Sequence, residues 1–222
     1  LDTAAGLVQA TANCTDGKVE QVSLEMPPAF VAQKSAVVET PEWGPVRYDL
    51  CFGGVFYALV DVEQLDLGIA PEYARDLATH GVALLNQNKK DVSIAHPETP
   101  EINGVAYVMF RSDEPDGAFR TCTTLPPGRV DRSPCGTGSN AHMAVRYFDD
   151  RAKPGDEVIS RSTIGSEFVT RFLEEVQVGP YRAIRNRVSG KSWIYGISQI
   201  GLDPTDPFPN GFIVSDTWGS QA

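Results

Sequence analysis

The stretch Ser133-Pro134-Cys135-Gly136-Thr137-Gly138-Ser139 is the part of this 222-residue sequence best suited to chemistry. Its glycines expose backbone N–H groups and let a ligand come close, and a helix starting there would turn the positive end of its dipole toward that ligand. Such a turn would hold an anion. A cysteine in the same turn sits in a field that favours thiolate, so Cys135 reads as a candidate nucleophile or general base. The competing reading is that Gly136 and Gly138 only shape a tight strand-to-helix turn and that Cys135 is a small buried hydrophobe, the usual fate of a free cysteine.

Asp131 precedes the thiol by four residues. Beside an anion pocket its carboxylate could grip an ammonium or iminium group, and the two sites together would recognise a zwitterion. It could equally be a turn-capping aspartate paired with Arg129 or Arg132. The other cysteines carry less: Cys51 in RYDLCFGG and Cys122 in FRTCTT read as core or sheet-face residues, and Cys14 has no neighbouring base. His142 follows Cys135 by seven residues, about 10 Å along a helix and too far for direct contact. Nothing around His80 or His96 argues for a Cys-His pair. There is no GxSxG elbow, and Gly136-Thr137-Gly138 does not continue into the GK[ST] ending of a P-loop.

The elements around this turn are mostly strands. Alternating apolar and polar positions predict strands over residues 6–14 and 18–26 with Asp16-Gly17 as the hairpin turn, and over 46–51 and 55–60 split by Gly53-Gly54. Pro27-Pro28 must lie at a strand edge or corner. Residues 71–90 switch to a spacing close to 3.6, with Pro71 in the first turn, and predict a helix. Strands are expected again at 104–111 and 118–125, a helix from Ala141 to Asp150, then strands at 157–162, 167–178, 181–188 and 191–200. The proline-rich stretch 202–212 suits neither a helix nor a central strand. This order lacks the regular alternation of a doubly wound sheet and predicts an α+β domain of antiparallel strands around a central helix.

With 19 basic against 29 acidic side chains the net charge is −10, which disfavours nucleic acid and anionic membrane as partners. A small molecule or another protein fits better. No apolar run reaches the roughly 18 to 20 residues of a membrane helix. The N-terminus lacks the basic-then-apolar order of a signal peptide, so the chain reads as cytoplasmic. Four cysteines without a CxxC pair indicate neither a disulfide framework nor a metal site.

Several motifs in order along the chain are similar to those of the proline racemases and their hydroxyproline epimerase and dehydratase relatives. They are LDTAAGLV at 1–8, FGGVFYALVD at 52–61, DRSPCGTGS at 131–139, IGSEF at 164–168 and DPTDPFPNGF at 203–212. The resemblance implies a two-lobed fold like that of diaminopimelate epimerase, each lobe an antiparallel sheet wrapped on a central helix. It implies a cofactor-independent reaction in which two cysteines face each other across the α-carbon of proline or 4-hydroxyproline. Cys135 would then be one of the pair, Asp131 would hold the ring nitrogen, and the amides of Gly136 and Thr137 would bind the carboxylate. Residues 1–200 would form the second lobe, and 201–222 a tail packing back toward the first. A homodimer is compatible with this reading.

The sequence also departs from the family. The first cysteine motif, of the form CGH and upstream of LDT, is absent, and Leu1 falls near the start of the second lobe. The expectation is a truncated or cleaved form, or a gene remnant, holding half an active site and inactive alone. Ser139-Asn140 stands where many members have Thr-Ser, a change expected to touch helix capping. Dehydratase relatives often carry threonine at the position of Cys135, so the cysteine favours racemase or epimerase over dehydration of trans-3-hydroxyproline. A non-catalytic module that retains the carboxylate pocket is the alternative of another class.

Overall fold

The structure, a computed structural model, describes residues 1–3 and 6–212. Ala4 and Ala5 of the LDTAAGLV motif and the last ten residues of the expected tail lie outside the described residues. The strands are β1 (Asp2–Thr3), β2 (Gly6–Leu7), β3 (Ala10–Thr15), β4 (Lys18–Glu25), β5 (Ala29–Thr40), β6 (Gly44–Phe52) and β7 (Phe56–Asp61). After helix α1 (Ala74–Asp91) come β8 (Val105–Asp113), β9 (Phe119–Leu125) and β10 (Arg129–Val130), then helix α2 (Gly136–Phe148), β11 (Glu157–Arg161), β12 (Glu167–Val178) and β13 (Tyr181–Gly190).

Eight strands run in the order β12-β11-β9-β8-β7-β6-β5-β13, and β13 pairs with β12 again, so the sheet closes on itself. Most pairings are antiparallel, but β7–β8 and β9–β11 are parallel, a mixture the sequence pattern does not reveal. β13 also explains Pro27-Pro28. Its Ala183 and Ile184 pair with β5, whereas Arg187 to Gly190 pair with β4, and the two prolines turn the chain between these partners. Neither proline has an N–H to offer a ladder at that corner.

Two apolar layers position the helices. Along β7 the side chains of Phe56, Ala58 and Val60 join an outer cluster with Leu77, Leu84 and Leu85 of α1, while Tyr57 and Leu59 join an inner one with Ala141, Met143, Ala144 and Val145 of α2. Strands all round the closed sheet feed the inner cluster: Val31 from β5, Met109 from β8, Phe119 from β9, Val158 from β11, Phe172 from β12 and Ile184 from β13. α2 therefore runs inside the barrel. A strand covered on both faces reads as an unbroken apolar run, as FYALV does.

α2 begins five residues earlier than the expected Ala141, because Gly136, Gly138 and Ser139 are weak helix formers that only tertiary packing recruits. At the other end, the strand expected over 191–200 is absent. β13 stops at Gly190, no ladder follows, and Ile194, Tyr195, Ile197 and Ile200 are each at least 88% exposed. Alternation alone makes no strand where no neighbouring strand runs alongside to complete a ladder. The compact unit of the fold is Leu1–Lys191, and Ser192–Ala222 forms a second, small unit. Within the latter, Asp203 accepts from the Thr205 amide (2.9 Å) and hydroxyl (2.8 Å), and Asp206 caps the Phe208 amide (2.8 Å). Among the described residues no helix is long and apolar enough to cross a membrane.

Candidate active site

The loop from β10 to α2 is built as a chain of short hydrogen bonds. The Asp131 amide donates to the Thr123 carbonyl of β9 at 2.8 Å, which pins the start of the turn to the barrel. The Asp131 carboxylate then accepts from the Ser133 amide (2.8 Å) and the Ser133 hydroxyl (3.0 Å). Ser133 Oγ in turn accepts from the Cys135 amide at 3.1 Å. Thr121 Oγ1 and Ser139 Oγ both donate to the Pro134 carbonyl, at 3.0 and 3.1 Å, and Ser139 Oγ lies within hydrogen-bond distance of Ser160 Oγ at 2.9 Å.

These bonds hold Cys135 at φ +64°, ψ 107°, as the N-cap of α2. A side chain in that region is strained by one to a few kcal/mol and persists only where its surroundings over-determine it, which is a recurrent property of functional turns. With Cys135 turned this way its carbonyl accepts the Ser139 amide at 2.9 Å, the first bond of the helix. The amides of Gly136 and Thr137 then lie in the first turn, where N–H groups have no intrahelical acceptor. A Cβ placed on Gly136 would meet nothing within 4 Å, so the side-chain side of that residue is open.

Cys135 is 7% exposed and shares the inner cluster with Met109. The buried-hydrophobe reading is nevertheless incomplete, because the sulfur has a polar neighbour: Tyr57 Oη lies 3.3 Å from Cys135 Sγ and 2.6 Å from Thr137 Oγ1. Room for the sulfur depends on Gly138, where a Cβ would sit 3.1 Å from Cys135 Sγ and 2.5 Å from Met109 Sδ. Burial, and next the neighbouring Cys135, push the Tyr57 phenol well above its ordinary range, so it stays protonated. Tyr57 escaped the sequence reading because a tyrosine inside FYALV looks like core. The only signal was that its run belongs to the motif at 52–61.

The remaining candidates fall into place around this turn. Asp131 is half-buried, and its ties are to Ser133, the turn-capping part of the alternative; among the described ion pairs it has none with Arg129 or Arg132. Ser139 and Asn140 do more than cap. Asn140 is fully buried and its Nδ2 donates to the carbonyls of Pro27 and Gly53, both at 3.0 Å, while its Oδ1 accepts from Asn186 Nδ2 at 2.8 Å.

All three histidines are engaged away from the thiol. His142 is buried with its ring 3.8 Å from that of Phe119, and burial, then Arg111, hold it neutral. His80 meets the Asp76 carbonyl at 2.6 Å, and His96 Nδ1 accepts from the Glu98 and Thr99 amides. Cys51 and Cys122 are buried in the core, and burial pushes both thiols up, Cys122 to about 11. Cys14 is exposed. Among the described residues no group of three or more His, Cys, Asp or Glu side chains could hold a metal.

A sheet closed around a buried helix, with a thiol at the helix N-cap beside a buried phenol and a threonine hydroxyl, is the arrangement this fold builds. The chain belongs to the proline racemase family, whose sequence model it matches over residues 1–213. It is 49% identical over 222 residues to the 4-hydroxyproline 2-epimerase of Allorhizobium ampelinum and to 4-hydroxyproline 2-epimerase 1 of Rhizobium rhizogenes, covering 100% of this chain and 64% of each relative. Among solved structures it is similar to a hydroxyproline epimerase from Agrobacterium vitis with bound trans-4-hydroxy-L-proline (TM-score 0.88, 49% identity, 99% of this chain and 63% of that one). It is equally similar to a probable proline racemase from Agrobacterium radiobacter K84 with bound carbonate (TM-score 0.88, 49% identity, 99% and 64%). The chain thus spans just under two thirds of the length of these relatives.

Proposed function

We propose that this chain contributes one half of a cofactor-independent epimerase or racemase site acting at the α-carbon of 4-hydroxyproline or proline. The observation that carries the reading is Cys135, held at a positive φ on the N-terminus of α2 with open space at the side-chain side of Gly136. Family membership and the epimerases among its relatives support the substrate class.

In this reading the substrate carboxylate lies on the Gly136 and Thr137 amides, where the helix dipole stabilises negative charge. Asp131 receives the ring ammonium on the lone pairs its turn leaves free. Cys135 as thiolate removes the α-proton, or as thiol returns one, and the carbanion charge that develops next to the carboxylate is met by the same amides. A second thiol, from the portion of the relatives that this chain does not span, works on the opposite face, so that one proton leaves and another arrives with inversion. Without that second thiol the chain alone would be inactive.

Chiral chromatography of trans-4-hydroxy-L-proline and L-proline tests this, with the chain alone and joined to the remaining portion of the Allorhizobium ampelinum epimerase. The joined protein should form cis-4-hydroxy-D-proline or D-proline and the chain alone should not. A joined, folded protein that inverts neither substrate contradicts the assignment.

A further inference from the structure

We propose that Tyr57 is a positioning residue for Cys135, a hydrogen-bond relay between the sulfur and the Thr137 hydroxyl that serves the thiol in both protonation states. The inference rests on the acid–base role proposed for Cys135 and adds to it a residue from a strand, far from the turn in sequence.

The geometry is that of a branched junction. The phenolic oxygen of Tyr57, a residue 1% exposed, stands 3.3 Å from Cys135 Sγ and 2.6 Å from Thr137 Oγ1. A phenol has one proton to donate and lone pairs to accept with, and a hydroxyl such as Thr137 can do either. When the sulfur is protonated, S–H donates to Tyr57 Oη and the phenolic proton points to Thr137 Oγ1. When the sulfur has given its proton to the α-carbon, the phenol turns its proton to the thiolate and Thr137 Oγ1–H donates to Tyr57 Oη. Only the sulfur's own proton is exchanged with substrate; Tyr57 and Thr137 keep theirs and reverse direction. Hydrogen bonds to a charged partner are about twice as strong as neutral ones, so the relay favours the thiolate while leaving the thiol satisfied.

The ring cannot drift from this position. It is packed in the inner cluster with Tyr107 at 5.7 Å, on β7, whose two faces are covered by the clusters on α1 and on α2. Burial also keeps the phenol protonated, as the donor role requires. Thr137 belongs to the first turn of α2 together with Gly136, so the relay ties the rotamer of the thiol to the segment that would hold the substrate.

The test reads cysteine alkylation by iodoacetamide, resolved for each of the four cysteines by mass spectrometry from about pH 6 to 9, the span over which thiols ionise. Tyr57→Phe should alkylate at Cys135 roughly tenfold more slowly near neutral pH, the size expected for losing a hydrogen bond to a charged group. Exposed Cys14 should react as before, and buried Cys51 and Cys122 should stay protected, which reports an intact fold. Thr137→Ser should match the unmodified chain, and Thr137→Val should show part of the loss. A merely structural phenol would not distinguish serine from valine.

The relay is overturned if Tyr57→Phe leaves Cys135 as reactive as before or more so, or if Cys135 in the unmodified chain reacts no faster than Cys51. Should Tyr57→Phe expose Cys51, Thr137→Val decides, and undiminished reactivity there contradicts the relay. Because the rates are read without turnover, a chain that inverts no proline would count against the assigned reaction only.

Discussion

Gly53 presses against α2 so closely that a Cβ on it would lie 2.7 Å from the Ala141 amide nitrogen and collide with the Thr137 carbonyl oxygen. Both obstacles are backbone of the helix that carries the site, and neither can swing aside. Gly53→Ala should therefore lower stability by about 3 kcal/mol, the upper range for overpacking, and displace the first turn of α2. Chemical denaturation checks the first effect. Alkylation of Cys135, expected to lose its dependence on Tyr57, checks the second.

The Asn140 side chain joins α2 to Pro27, to Gly53 and to Asn186 of β13. Removing it takes the donor from the carbonyls of Pro27 and Gly53 and leaves Asn186 Nδ2 only a long contact of 3.4 Å to the Asn140 carbonyl. Asn140→Ala should cost roughly 3 kcal/mol, since each stranded buried group costs about 1 to 3 kcal/mol and part is relieved by relaxation. A urea midpoint unchanged from that of the unmodified chain would show that the network is dispensable.

The backbone at Cys135 predicts a trade between stability and function. At φ +64° a glycine is at ease and an alanine is not. Cys135→Gly should be more stable than Cys135→Ala by about 1 kcal/mol, with both inactive. In a helical or extended backbone the order would reverse, so the sign of the difference in Tm reports the strain directly.

At the opposite end of α2, Asp49 is bound to Arg111 at 2.7 Å and to Lys34 at 3.2 Å, and Lys34 reaches Asp149 at 2.9 Å. Burial pushes Asp49 upward, but Arg111, the Ser35 amide and Lys34 outweigh it and hold the carboxyl below its ordinary range. A lowered folded value stabilises the fold above the unfolded value of about 3.9 and loses that stability as pH falls through the lower one. Asp49→Asn leaves Arg111 short of its main buried partner and should cost about 3 kcal/mol near neutral pH. The gap should hold at higher pH and close only below about pH 4. Denaturation across pH measures it, and a gap that closes near neutrality would contradict the assignment.

What could be read in the sequence follows from where local pattern and tertiary contact agree. α1 announced itself through Pro71 and its leucine spacing, and β12 and β13 through long alternation in strands with one wet face. α2 hid its first turn behind Gly136, Gly138 and Ser139, whose helicity comes from the barrel around them. β5 was not legible as one strand because its ladder with β6 is irregular around Gln33 and Ser35 lies at φ +51°. Residues 191–200 alternate but have no ladder, so their pattern misled. At the site, Cys135, Asp131, Gly136 and Thr137 sit in one contiguous motif, whereas Tyr57 and Gly53 reach it only through the curl of the sheet.

Exchange of the α-hydrogen in D2O tests the central claim most directly. With the chain joined to the remaining portion of its relative, proton NMR should show the α-hydrogen of trans-4-hydroxy-L-proline replaced by deuterium as epimer forms. Cys135→Ser should slow this by about a hundredfold or more, the usual weight of a positioned acid or base. Deuterium entering at the unmodified rate in that variant would mean that the sulfur on α2 takes no part in moving the proton.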